Sequence, residues 1–180
     1  PGDRVHVDIK KLGRIPDGGG WRIHGRGSAQ DGAAGSARDK AARRGDRSSR
    51  GYVFLHHAVD DYSRLAYSEQ LTDERKETAA AFWQRARAFF ADAGITVTAV
   101  MTDNGSCYRS RDFAAALGES VKHRRTRPYR PQTNGKVERF NRTLMTEWAY
   151  AQPYPSESAR DATYAGWLHS YNHHRPHTGI

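Results

Sequence analysis

The chain has 180 residues, enough for one domain with a core, and its 37% hydrophobic content suits a sheet flanked by helices. No apolar run approaches the roughly 20 residues of a membrane span, no secretory leader pattern is visible, and the single Cys107 excludes an internal disulfide framework and a Cys-rich zinc module. The charge of +9 points toward a polyanionic partner, with a solvated basic face as the bland alternative.

In chain order, Val5 to Ile9 alternates apolar and polar residues as a strand does, and Gly51 to Val59 is a second β-rich stretch. Between them, from about Gly25 to Arg50, lies an insert of Gly, Ser, Ala and Arg with seven basic and three acidic residues, which reads as a flexible basic loop in the first hairpin. Asp60 to Ser63 supplies a turn and Arg64 to Leu71 a third strand. Thr78 to Ala93 is helical, with Phe82, Ala86, Phe89 and Ala93 at helical spacing and Gly94 as its stop. Ile95 to Met101 is a strand able to run parallel to the first after a crossover. A short helix over Arg111 to Leu117, a short strand over Ser120 to Arg124 and a long helix from Asn134-Gly135 follow, the last with Val137, Phe140, Leu144 and Trp148 as its buried stripe. A C-terminal helix covers about residues 156–172, with Leu168 and Tyr171 inward. The pattern is that of an α/β layer fold with a mixed sheet; periodicity leaves its strand order open.

Two words carry the chemistry. Val100-Met101-Thr102-Asp103-Asn104-Gly105-Ser106 puts an acid at the end of an apolar strand, and Pro128-Tyr129-Arg130-Pro131-Gln132-Thr133-Asn134-Gly135-Lys136-Val137-Glu138-Arg139-Phe140-Asn141 puts another at the start of a helix. The stretch from Arg109 to Arg142 holds ten basic and three acidic residues. Of 29 basic residues, 23 are arginine, whose planar fork suits phosphate oxygens. Acids set among arginines suit metal-assisted chemistry on a phosphodiester. Taken singly, Asp103 reads equally as a turn residue and Glu138 as a surface helix acid. Asp60 and Asp61 are read as turn formers. His56 and His57 are adjacent on a strand and so face opposite ways, and the histidines at 169, 173, 174 and 177 have no thiolate partners, which argues against zinc.

Both words resemble the catalytic core shared by retroviral integrases and the DDE transposases of bacterial insertion sequences. The likeness extends over residues 5–9 and 52–145, and the closing Tyr171-Asn172-His173-His174-Arg175-Pro176-His177 resembles the end of the insertion-sequence transposase core. It departs in having 34 rather than 35 residues between the second and third acids, in Lys10-Lys11 after the first acid and in the long insert. The resemblance implies a ribonuclease H-like mixed five-stranded sheet with helices on both faces, a single integrase-type domain over 1–180, and a catalytic and metal-binding triad of Asp8, Asp103 and Glu138. It further implies two Mg²⁺ or Mn²⁺ ions with DNA bound, DNA cleavage and strand transfer, element ends and target DNA as partners, homo-oligomers assembled on DNA, and a bacterial cytoplasmic, nucleoid-associated location. Candidate DNA-binding residues are Lys10, Lys11, Asn104, Tyr129, Gln132, Lys136, Arg139, Asn141 and Arg142. An excised core without its end-reading region is the expected extent. A hydrolytic nuclease on the same fold and an inactive DNA-binding remnant are the alternatives.

Overall fold

The computed structural model describes residues 1–29, 51–126 and 134–177. Five strands, β1 (Val5–Gly13), β2 (Tyr52–Asp60), β3 (Ala66–Leu71), β4 (Ala99–Thr102) and β5 (Lys122–Arg125), form one sheet in the order β3-β2-β1-β4-β5. β1, β2 and β3 pair antiparallel, and β4 and β5 continue the sheet in parallel with β1. The helices are α1 (Trp21–His24), α2 (Lys76–Asp92), α3 (Arg111–Leu117), α4 (Gly135–Leu144), α5 (Glu157–Asp161) and α6 (Tyr164–His173); α4 runs on through a π-helical turn over Met145–Ala149. No helix among the described residues is long and apolar enough to cross a membrane.

The two-residue period of the strands splits the core. Val5, Val7 and Ala58 face α2 and α3, where Phe82, Trp83, Phe90, Phe113 and Leu117 close the layer. Leu12, Leu55, Val59 and Ala66 face the other way and pack on Val137, Phe140, Leu144, Trp148, Tyr164 and Tyr171 from α4 and α6. The expected α4 stripe is therefore buried as read, while Leu168 is only partly covered. Cys107 is buried in the first layer, and burial pushes its thiol up to about 11.

The differences in boundary have local causes. β1 continues past Ile9 because its ladder with β2 holds as far as Gly13 opposite Tyr52, which places the insert in the first hairpin as read; from residue 30 the insert lies outside the described residues. β3 starts at Ala66 because the Asp60 turn is longer than four residues: Asp60 accepts from Ser63 N and Oγ, and Arg64 adopts φ 65° before Leu65 O accepts from Asp60 N. β4 is confined to Ala99–Thr102 because Ile95 N is drawn to Phe90 O at the end of α2, beside Gly94 at φ 73°, and Thr98 N donates to Gly2 O. The expected helix over 156–172 is two helices. Arg160 O accepts from the Trp148 indole and from the Thr163 hydroxyl, which breaks the run at Ala162 and Thr163.

The C-terminal motif fastens these layers. Asn172 takes the N–H of Ala66 on its Oδ1 and donates its Nδ2 to the carbonyl of the same residue, each at 2.9 Å. Tyr171 packs edge-on against Phe140, and Arg175 pairs with Glu147 beyond α4. Replacing Asn172 with Ala leaves both backbone groups at the start of β3 without these partners. Unfolding free energy is expected to fall by about 1–3 kcal/mol, read as a lower urea midpoint at unchanged slope; an unshifted midpoint would show that the motif does not hold the edge strand.

Candidate active site

The register of the central strands brings two acids together. β1 and β4 pair Val5 with Val100 and His6 with Met101, so two residues further on Asp8 comes level with Asp103 on the neighbouring strand. Parallel neighbours lie about 4.8 Å apart. Asp8 is in the interior of β1, whereas Asp103 stands just past the end of β4, where the chain turns and its carboxylate accepts the Gly105 N–H at 2.8 Å. A Cβ on Gly105 would sit 2.9 Å from Asp103 Oδ1 and would push that carboxylate from its present position.

The two acids have different surroundings. Burial raises the Asp8 carboxyl from 3.8 to about 6; hydrogen bonds from the Ile9 backbone and the Asn141 amide work against the rise, and the neighbouring charge of Asp103 adds to it. Asp103 is exposed. The phenol of buried Tyr108 is pushed well above its ordinary value, chiefly by burial and then by the charges of Asp8, Cys107 and Asp103.

Glu138 belongs to α4, which packs on β1 and β2 through Val137, Phe140 and Leu144. At the head of this helix the Asn134 side chain is buried and its Oδ1 lies 2.8 Å from His6 Nδ1, tying the helix start to β1. Glu138 is exposed on the face turned toward Asp8, and with Lys10, Asn141, Arg142, Met145 and Thr146 the two acids line one open cleft. Asp8 and Asp103 are the adjacent oxygen donors able to hold a hard divalent cation, with Glu138 across the cleft. Among the described residues no three His, Cys, Asp or Glu side chains converge closely enough to hold a metal ion, so Glu138 stands apart from the Asp8–Asp103 pair in this conformation.

The expected DNA-binding residues divide. Lys10 and Arg142 line the acid cleft. Lys11, one residue on, leaves the opposite face of β1 through the alternation of the strand, and its ammonium is 2.6 Å from Glu74 and over the Phe54 ring. Asn141, a candidate DNA-binding residue, also lines that cleft, is buried at 9% exposure and donates Nδ2 to Asp8 Oδ2 at 2.8 Å. Lys136 and Arg139 line a different cavity, with Arg64 and Arg175, and Lys136 lies 3.8 Å from Asp61. Asn104 donates to Thr126 O. Tyr129 and Gln132 lie outside the described residues. Sequence reading passed over Asn134, Met145 and Thr146; the last two were reachable from Glu138 and Arg142 by helical spacing. His56 and His57 do face opposite ways, toward Phe82 and Phe140, and burial lowers both, His57 to about 3.

The integrase core domain family matches this chain through two models, over residues 1–131 and 119–180. A putative transposase InsD for insertion element IS2E of Escherichia coli is 34% identical over 83 residues, which cover 44% of this chain and 37% of that protein. The transposase InsD for insertion element IS2D of the same species is equally similar over 44% of this chain and 27% of its own length. The aligned part is thus well under half of the curated relatives. Among solved structures, the simian T-cell lymphotropic virus intasome in complex with a PP2A regulatory subunit matches with TM-score 0.64 at 20% identity, over 100% of this chain and 51% of that one. The HTLV-2 integrase catalytic core domain in complex with magnesium, in its dimeric form, matches with TM-score 0.62 at 15% identity, over 100% and 92%. The shared fold is the ribonuclease H-like one, with its mixed sheet and two helical layers.

A carboxyl whose pKa is raised in the folded state costs stability wherever the unfolded chain ionises it: the cost is absent below pH 4, grows as pH rises from about 4 to about 6, and is complete above. Asp8→Asn should therefore raise unfolding free energy by about 1–2 kcal/mol at pH 7.5 without divalent metal, the partial exposure of the site keeping the gain below the full shift. The gain should vanish near pH 4. Adding Mg²⁺ should stabilise the wild type alone and narrow the difference. Urea titrations at the two pH values check this; a variant less stable than wild type at pH 7.5 would remove the electrostatic account of Asp8.

Proposed function

We propose that this chain, which belongs to the integrase core domain family, is the catalytic part of a transposase that cleaves DNA at the ends of a mobile element and joins the freed 3′ hydroxyl to target DNA. The observation that carries the reading is the Asp8–Asp103 pair, set side by side by strand register, with Glu138 on the cleft that Asp8 lines. In this reading Asp8, Asp103 and Glu138 hold two Mg²⁺ or Mn²⁺ ions. When bound, such ions activate the attacking oxygen and stabilise the leaving one.

The side chains of this chain do the rest. Asn141, held in the core face of α4, donates to one oxygen of Asp8 and orients its carboxylate together with the Ile9 backbone. The Gly105 N–H fixes Asp103 in the same way. Lys10 and Arg142 flank the acids and bind the phosphates on either side of the scissile one. Glu138 comes from a helix rather than the sheet, so seating of the DNA backbone against Arg142, one turn on, brings it toward the two aspartates. The acting form is an oligomer assembled on DNA in the bacterial cytoplasm.

Incubation with Mg²⁺ and a labelled duplex bearing the element end tests the reading. Product longer than the input marks strand joining, and product only shorter than the input marks a nuclease. Asp103→Asn and Glu138→Gln are each expected to lower cleavage and joining by at least about a hundredfold, with duplex affinity within about twofold of wild type, since the arginines remain. Wild-type turnover in either variant would sink the triad.

Arg142→Ala should weaken all duplexes alike and reduce the slope of log affinity against log salt by about 0.9, the value of one phosphate contact on B-form DNA. Titrations of an element end and a scrambled duplex at several salt concentrations check this. An unchanged slope would place Arg142 off the DNA path.

A further inference from the structure

Five large apolar side chains are exposed among the described residues: Trp21, Ile23, Tyr52, Tyr62 and Tyr150. Three of them, Trp21, Tyr52 and Tyr150, line one cavity of about 300 Å³ between the end of β1, α1 and the turn after α4. Among the described residues its lining includes Arg14, Arg22 and Arg160 and no acidic side chain. The guanidinium of Arg22 lies over both the Trp21 ring at 5.7 Å and the Tyr150 ring at 5.2 Å, and Arg26 lies over Trp21 at 4.8 Å. Arg22 donates one Nη2 hydrogen to Tyr150 O at 3.0 Å and Arg14 its Nε to Tyr52 O at 3.3 Å; a guanidinium has five N–H donors, so each keeps others for an anion. In the wall, Arg160 is fully buried; its Nη2 serves Gly13 O and Glu157, while Nε and Nη1 have no acceptor.

Exposed aromatic faces offer stacking to a planar ring, and a cationic lining without acids selects an anion. Duplex phosphates need no aromatic faces, and an apolar protein segment needs no arginines; a nucleotide outside a base stack uses both. The place of the cavity adds to this. β1 runs from Asp8 past Lys10 to Arg14, which at about 3.3 Å per residue is roughly 20 Å, and α4 with its π-helical turn runs beside it from Glu138 past Arg142 and Thr146 to Tyr150. The acid cleft and the aromatic cavity thus lie toward opposite ends of the β1–α4 pairing.

We propose that this cavity seats an unpaired nucleotide of a DNA strand running along β1 and α4 from the carboxylates, its base against Trp21 and Tyr150 and its phosphate on Arg14 and Arg22. The proposal rests on the DNA-cleaving function above. It assigns the cavity a role that the triad does not require, that of holding a strand away from its complement.

Fluorescence anisotropy with a labelled oligothymidine strand and with a blunt duplex tests it. Trp21→Ala and Tyr150→Ala are each expected to weaken single-strand binding by about 5- to 100-fold, the range of losing one base–aromatic stack, with duplex affinity within about twofold of wild type. Trp21→Phe, which keeps a ring, should retain most of the affinity, and wild-type tryptophan emission should be quenched by the single strand but not in Trp21→Ala. Equal losses on both DNAs, or no loss on the single strand, would overturn the assignment. So would displacement of the strand by thymidine monophosphate, which would make the cavity a free-nucleotide site. Wild-type protein binding duplex but no single strand would overturn this inference alone; binding neither would overturn the DNA function with it.

Discussion

Two carboxylates held next to each other on parallel strands are the constraint around which this fold is arranged. The pairing of β1 with β4 sets Asp8 level with Asp103, and Asp8, inside the central strand, cannot leave without breaking the centre of the sheet. Repulsion and burial act against Asp8, and the Ile9 backbone and Asn141 offset them only in part. Asn141 can reach Asp8 only because Val137, Phe140 and Leu144 seat α4 on the sheet, and α4 starts in the right place because Asn134 is tied to His6 on β1. The core packing, the polar contacts and the poised charge are thus one arrangement, in which the same helix supplies the layer, the orienting amide and the third acid.

Much of this was legible in the chain. Asp103 and Glu138 stand in long words whose residues have local reasons: the bare Gly105 leaves room for the Asp103 carboxylate that accepts its N–H, and the α4 stripe follows helical spacing. The mixed sheet and its two helical layers also followed from periodicity and resemblance. Strand order and register did not, because they are set by which strands meet in three dimensions. Boundaries failed where side chains intervene: Thr163 and Trp148 compete for a helical carbonyl, and Asp60 with Arg64 lengthens a turn.

The basic residues show a second limit. Net charge locates a positive stretch but not its faces. Lys10 and Lys11 are neighbours in sequence and open onto opposite sides of the sheet, which strand alternation alone would have indicated. Along α4, Arg142 belongs to the acid cleft and Lys136 and Arg139 to another cavity. The aromatic cavity was invisible for a different reason: Trp21, Tyr52 and Tyr150 come from three distant parts of the chain, and only folding gathers them.

The lone thiol has a practical consequence. Cys107 sits inside the α2–α3 layer and its acidity is suppressed to about 11, so it presents almost no thiolate to an alkylating reagent at neutral pH. The native chain is therefore already a silent background for maleimide chemistry. A cysteine introduced at exposed Tyr62 would be the site that takes a fluorophore or spin label, and distances to a labelled DNA strand could be followed without first removing any native residue.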